Sequence, residues 1–142
     1  MKAKTRQENK TGCSALVLIA AKPNRLRDSL QFLLKTMPEI NIIGLADDSA
    51  LALRMISERH PALVLLDTNL PGDEMTTVLK QIKASGYQSR CLVLSDTFEQ
   101  QQSVESAGAD MALVRGFSVA ELFEVMEKLL PEQEAQQIAD DG

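Results

Sequence analysis

Residues 62–73 read ALVLLDTNLPGD, and this run decides the fold. Four of its first five residues are large aliphatics with no polar interruption. The run is too short and too continuously apolar for a surface helix. It fits a strand over 62–67 that is covered on both faces. It ends in a lone carboxylate, Asp67, and the following TNLPGD is a loop with Asn, Pro, Gly and Asp as turn formers. A charge that ends a buried strand requires a partner or solvent.

Outward from this run the pattern repeats. Residues 15–21 (ALVLIAA), 40–46 (INIIGLA), 91–95 (CLVLS) and 111–114 (MALV) are further short apolar runs. Helical spacing fills the intervals. Lys22-Pro23-Asn24 is a turn with Pro placed to start a helix. Leu26, Leu30, Leu33, Leu34 and Met37 follow on one face, and the helix ends near Pro38. Asp48 or Ser49 caps a second helix that runs to about Arg59 and is closed by Pro61. Met75, Val78, Leu79 and Ile82 give a third, stopped at Gly86. Residues 97–107 give a weaker fourth helix with the run Gln100-Gln101-Gln102, ended at Gly108. Ser118 with Glu121 is a capping box that opens the last helix, which carries Leu122, Phe123, Val125, Met126, Leu129 and Leu130. Five strand–helix units in series predict an α/β fold: a parallel sheet with helices on both faces and right-handed crossovers. The buried residues should include Val17, Ile19, Val64, Leu66, Val93 and Val114.

The length of 142 residues suits one such domain. Residues 14–130 carry the pattern. Residues 1–13 read as a flexible tail with Lys2, Lys4, Arg6 and Lys10 against Glu8, and 131–142 as an acidic tail or linker with Glu132, Glu134, Asp140 and Asp141. A net charge of −5 argues against direct nucleic-acid binding, which needs a basic surface. Cys13 and Cys91 read as reduced thiols, Cys91 as a small buried hydrophobe at a strand start. His60 with two distant thiols builds no zinc site. No apolar run approaches the ~20 residues of a membrane span, and no signal peptide is read, so the expected location is cytoplasmic.

In an open α/β sheet the functional crevice lies outside the carboxyl ends of the strands. The residues there are Ala21-Lys22 after strand one, Asp67 at the end of strand three, Ser95-Asp96 after strand four and Arg115 after strand five. An ammonium, a carboxylate, a hydroxyl and a guanidinium can converge on one point.

In this order and spacing the chain resembles the receiver domain of two-component response regulators. The resemblance rests on VLIAAKPNRLR, HPALVLLDTNLPGDE, LVLSDT and AGADMALVR and covers about residues 14–130. Among receivers it looks most like those that precede a helix-turn-helix output domain, and no such output domain is read in this sequence. The resemblance implies a flavodoxin-like, doubly wound sheet in order 2-1-3-4-5 with five helices. It also implies a signalling module, not an enzyme, in which Asp67 is the phosphoacceptor position for a histidine kinase. Ser95 and Arg115 take the phosphate-side positions.

Several positions depart from the pattern that the resemblance implies. Ala21 and Lys22 stand where the family places an acid pair for Mg²⁺. Arg115 stands for a lysine, Gly116 for a proline that often follows it, and Ala112 for a switch aromatic. Mg²⁺ is held by hard oxygen ligands, usually one or two carboxylates with waters and phosphate. Without the pair, charge neutralisation of phosphoryl transfer is lost. The expectation is therefore an atypical receiver, or pseudo-receiver, with no metal and no cofactor, which acts by protein–protein contact. Mg²⁺ returns only if Asp96, Asp47-Asp48 or Asp73-Glu74 rebuilds the site. The competing expectation is an ordinary phosphoacceptor receiver that takes a phosphoryl group on Asp67. A third, ranked low, is an aspartate-nucleophile phosphohydrolase, because Asn69 stands where such an enzyme needs a proton-donating acid. Expected partners are a histidine kinase or another signalling protein. In the resembling family the face of helix four, strand five and helix five often carries partner or dimer contacts, so a homodimer belongs with them. No membrane contact is expected.

Overall fold

The computed structural model describes residues 14–130. The stretches 1–13 and 131–142, with the two tails and Cys13, lie outside the described residues. Five strands, β1 (Ala15–Ala20), β2 (Ile40–Ala46), β3 (Leu63–Asp67), β4 (Arg90–Ser95) and β5 (Met111–Val114), form one parallel sheet in order 2-1-3-4-5. The helices are α1 (Arg25–Leu34), α2 (Ser49–Arg59), α3 (Met75–Ala84), α4 (Phe98–Ala107) and α5 (Val119–Leu129).

The continuous apolar strands resolve into two faces, because side chains alternate along a strand. Leu18, Ala20, Val64, Leu66 and Val93 pack with Ile56 of α2, Val78, Leu79 and Ile82 of α3, and Val104 of α4. Val17, Ile19, Leu63, Leu65, Leu92 and Leu94 pack with Leu30 and Leu34 of α1, and Leu122, Val125 and Met126 of α5. β3 is buried at every position. β2 and β5 are the sheet edges, and for that reason Val114 is only half-buried, unlike the other five expected core residues, which are fully buried.

Local signals set the helix starts. Asn24 caps α1: its side chain accepts from the Arg27 backbone N–H at 2.9 Å. Pro23 therefore sits one residue before the cap, and the regular part of α1 ends at Leu34, ahead of Pro38. Asp48 caps α2 and Thr97 caps α4, while the Ser118–Glu121 capping box is complete at α5. Cys91 is fully buried in β4, and burial pushes its thiol up to about 12, so it stays protonated and inert.

These packing differences predict unequal mutational costs. Leu66→Ala, in the middle of the sheet, should destabilise the domain by about 2–5 kcal/mol in urea unfolding followed by circular dichroism. Val114→Ala at the edge should cost distinctly less. Ser118→Ala should cost about 1 kcal/mol through the lost cap.

Candidate functional site at the carboxyl edge of the sheet

The strand order places the ends of β1, β3, β4 and β5 side by side. Asp67 closes β3 with its side chain fully buried. Its Oδ1 accepts from Arg115 Nη2 at 2.7 Å and from the backbone N–H of Asn69 at 3.0 Å. The second bond is a local Asx-type turn, which the sequence TNLPG favours after an aspartate.

Arg115 leaves β5 beside β4, its backbone N–H donating to the Ser95 carbonyl at 2.9 Å. Its guanidinium reaches Asp67 through Nη2 and Asp96 through Nε. A planar fork with donors on separate nitrogens can bridge two carboxylates, which a lysine point charge does less well. Asn69 completes the ring, its Nδ2 donating to both Asp96 carboxylate oxygens at 3.1 and 3.3 Å. The hydrogen bond from Arg115 is the main cause holding the Asp96 carboxyl below its ordinary value of 3.8. Partial burial works against the Arg115 charge, but the two aspartates outweigh it and raise the guanidinium further.

The glutamine run joins this network. Gln100 Oε1 accepts from the Asp96 backbone N–H at 2.7 Å and from the Thr68 hydroxyl at 3.3 Å. Gln101 Nε2 donates to the Ala112 carbonyl at 2.9 Å. α4 buries only Val104 fully, so these amide contacts help fasten its first turn to the sheet. Nothing in the apolar spacing marks them. Their sequence signal is the placement of Gln100 and Gln101 just after the Thr97 cap, where polar side chains reach back to the strand ends.

The remaining candidates separate. Ser95 is fully buried at the end of β4, and its Oγ, like Asp67 Oδ2, has no hydrogen-bond partner among the described residues. Ala112 is buried and presents only a methyl group. Ala21 is buried, and its carbonyl accepts from Arg27 Nη1 at 3.2 Å. Lys22 is exposed and makes no ion pair among the described residues. Asp47 pairs with Arg27 at 2.5 Å, and Asp48 caps α2. Asp73 and Glu74 are exposed at the start of α3. Gly116 has φ +100°, a conformation closed to proline, so the chain turns directly after Arg115.

This donor set does not fit the Mg²⁺ of the family pattern. The acid-pair positions offer a methyl group and an ammonium. The two carboxylates nearest the strand ends are already engaged by a guanidinium. Among the described residues no group of three or more His, Cys, Asp or Glu side chains is placed to hold a metal ion.

Residues 17–127 match the family model of the response regulator receiver domain. The chain belongs to that family. It is 28% identical over 104 residues to the transcriptional regulatory protein YdfI of Bacillus subtilis, covering 72% of this chain and 48% of that protein. It is 32% identical over 103 residues to the response regulator MprA of Mycobacterium avium, covering 68% of this chain and 45% of that protein. The chain thus spans about half the length of these curated relatives. A DNA-binding response regulator of the LuxR family from Staphylococcus aureus superposes with a TM-score of 0.74 at 23% identity, over 81% of this chain and 98% of the other. Receiver domains are signalling modules of two-component systems and work with histidine kinases and output domains. No described helix is long and apolar enough to cross a membrane.

Two outcomes follow from the geometry of this receiver. Removing Arg115 leaves a buried carboxylate without a counter-charge, held only by the Asn69 backbone N–H. Arg115→Met should therefore cost about 2–3 kcal/mol in chemical unfolding, between the values of exposed and buried pairs. Asp96 has a depressed folded-state pKa, so its contribution is present above pH 3.8 and is lost as pH falls through the folded value. The stability difference between wild type and Asp96→Asn should shrink as pH is lowered below 3.8.

Proposed function

We propose that this receiver domain is atypical. It transmits a signal by protein–protein contact, without Mg²⁺-dependent phosphorylation at Asp67, and it is not itself an enzyme. The observation that carries this reading is the state of Asp67: a buried carboxylate paired at 2.7 Å with Arg115. The positions of the family's acid pair hold Ala21 and Lys22. Transfer of a phosphoryl group to a carboxylate brings two anions together, and neutralisation of that charge is the main task of such a site. Here Arg115 already serves two aspartates. Ala112 adds a second reason, because it supplies no ring that could report a change at the crevice.

The partner of this reading is a protein of the same signalling system, a histidine kinase or a downstream component. A second copy of the chain is the alternative occupant of the face built by α4, β5 and α5. The domain itself binds no nucleic acid and acts in the cytoplasm. Residues 14–130 form the functional unit.

The ordinary phosphoacceptor reading has its own support, since Asp67 and Ser95 stand at the expected strand ends. Incubation with acetyl phosphate and Mg²⁺ followed by intact-mass measurement decides between the two. The expected result is no added phosphoryl group. A stoichiometric gain that Asp67→Asn abolishes would overturn the proposal. Partner binding by Asp67→Asn should stay within about threefold of wild type, since only a switch with differential affinity would respond more.

A further inference from the structure

We infer that the outer stripe of α1 is a self-complementary docking face for a second copy of this chain, in which two α1 helices lie antiparallel with Phe32 on Phe32. The inference goes beyond the proposed function and does not depend on the state of Asp67. It concerns the β2 side of the sheet, at the edge opposite β5.

Phe32 is the most exposed large apolar side chain among the described residues, at 71%. Phe98 and Val119, the next two, open α4 and α5 beside the crevice. Phe32 instead stands within α1, whose inner face is already filled by Leu30 and Leu34, with half-buried Leu26 and Leu33 beside them. One exposed ring alone carries no argument. Its charged neighbours do. Asp28 lies one turn before Phe32 and Lys35 one turn after it, and both are exposed. Lys35 is the C-cap but keeps helical φ and ψ (−66° and −16°), so the three side chains share one stripe. Neither charge has an ion-pair partner among the described residues.

The order negative, apolar, positive selects a second copy as the occupant. At a rise of about 1.5 Å per residue, Asp28 lies about 6 Å from Phe32 along the axis and Lys35 about 4.5 Å on the other side. A twofold axis through Phe32 then leaves each Asp28 only about 1.5 Å along the axis from Lys35 of the other copy, an offset that the flexible lysine stem spans. The same contact occurs twice, as an isologous interface requires. A parallel, in-register pair would instead set Asp28 on Asp28 and Lys35 on Lys35. Both charges also suit the dipole of their own helix, so the monomer tolerates them. A patch one helix wide belongs with interfaces below about 1,200 Å², so the association is weak and reversible. The ring supplies the apolar contact, and the exposed ion pairs set the orientation.

The test measures self-association of the full chain by sedimentation equilibrium at low salt, with backbone amide shifts followed on dilution. Wild type should associate reversibly towards millimolar concentration, with dilution shifts centred on 25–36. Phe32→Ser should weaken association at least about tenfold. Asp28→Lys or Lys35→Asp alone should weaken it about fivefold or more, because each change acts twice and sets like charges opposite. An equimolar mixture of these two variants should regain wild-type association, since each copy then supplies the charge that the other lacks. All three side chains are exposed, and urea unfolding checks that each variant keeps its fold. Should Asp28→Lys not fold, Phe32→Ser and Lys35→Asp carry the test, and unchanged association in both overturns the inference. A wild type that stays monomeric at millimolar concentration would overturn it too and leave the stripe to a different protein. So would dilution shifts confined to α4, β5 and α5, or a mixture that associates no better than its components.

Discussion

A carboxylate at the end of a strand covered on both faces must be neutralised within the protein, and the arrangement of the carboxyl edge depends on how that is done. Asp67 cannot retreat to solvent, because β3 is the middle strand and every position in it is buried. Its charge is met by Arg115 from β5, two strands away. The reach across β4 brings Asp96 into the same ion-pair ring, and Asn69 and Gln100 close it. One electrostatic requirement thereby joins the loops after β3 and β4 to the first turn of α4. An ion pair of this kind specifies a position more than it adds stability, since desolvation offsets much of the attraction.

The helices differ in how they are secured to the sheet. α2 and α3 are held by apolar packing around Leu66 and Val93, and α1 and α5 by the opposite faces of the same strands. α4 has one fully buried apolar residue and is fixed in part by amide side chains. Directional contacts of this sort are worth about 1 kcal/mol each and depend on geometry. The helix nearest the ion-pair ring therefore has the weakest apolar hold, and its stability is coupled to the ring through Gln100.

The fold was legible in the sequence because its signals are local and repeated. Uninterrupted apolar runs such as 62–66 separate from amphipathic spacing such as Met75, Val78, Leu79 and Ile82 without ambiguity. Val114 was misjudged because an edge strand with one open flank has the same local sequence pattern as a central one. Pro23, placed by its residue type at a helix start, stands one residue before the Asn24 cap, a difference that only geometry shows. At the site, the gathering of Asp67, Ser95 and Arg115 at adjacent strand ends follows from the α/β topology. The choice of partners does not. Its position after β4 marks Asp96 as a substitute metal ligand, yet its carboxylate faces Arg115. Of the partner or solvent that a strand-end charge requires, Asp67 takes the partner, with its own end of the pair fully buried. The glutamines were legible only as a polar helix, because their function lies in contacts between elements far apart in sequence.

Gly116 carries a lesson about how this edge can be rebuilt. Its φ of +100° is closed to proline, whose ring holds φ near −65°. Arg115 and Gly116 are therefore one unit of design: the first supplies the fork, and the second supplies the bend from which the fork is aimed. Grafting a lysine–proline pair from an ordinary receiver would alter the charge and the backbone together. Grafting either residue alone would give a guanidinium on the wrong bend or an ammonium on the wrong base. The two substitutions are thus coupled neighbours, and their effects will not add.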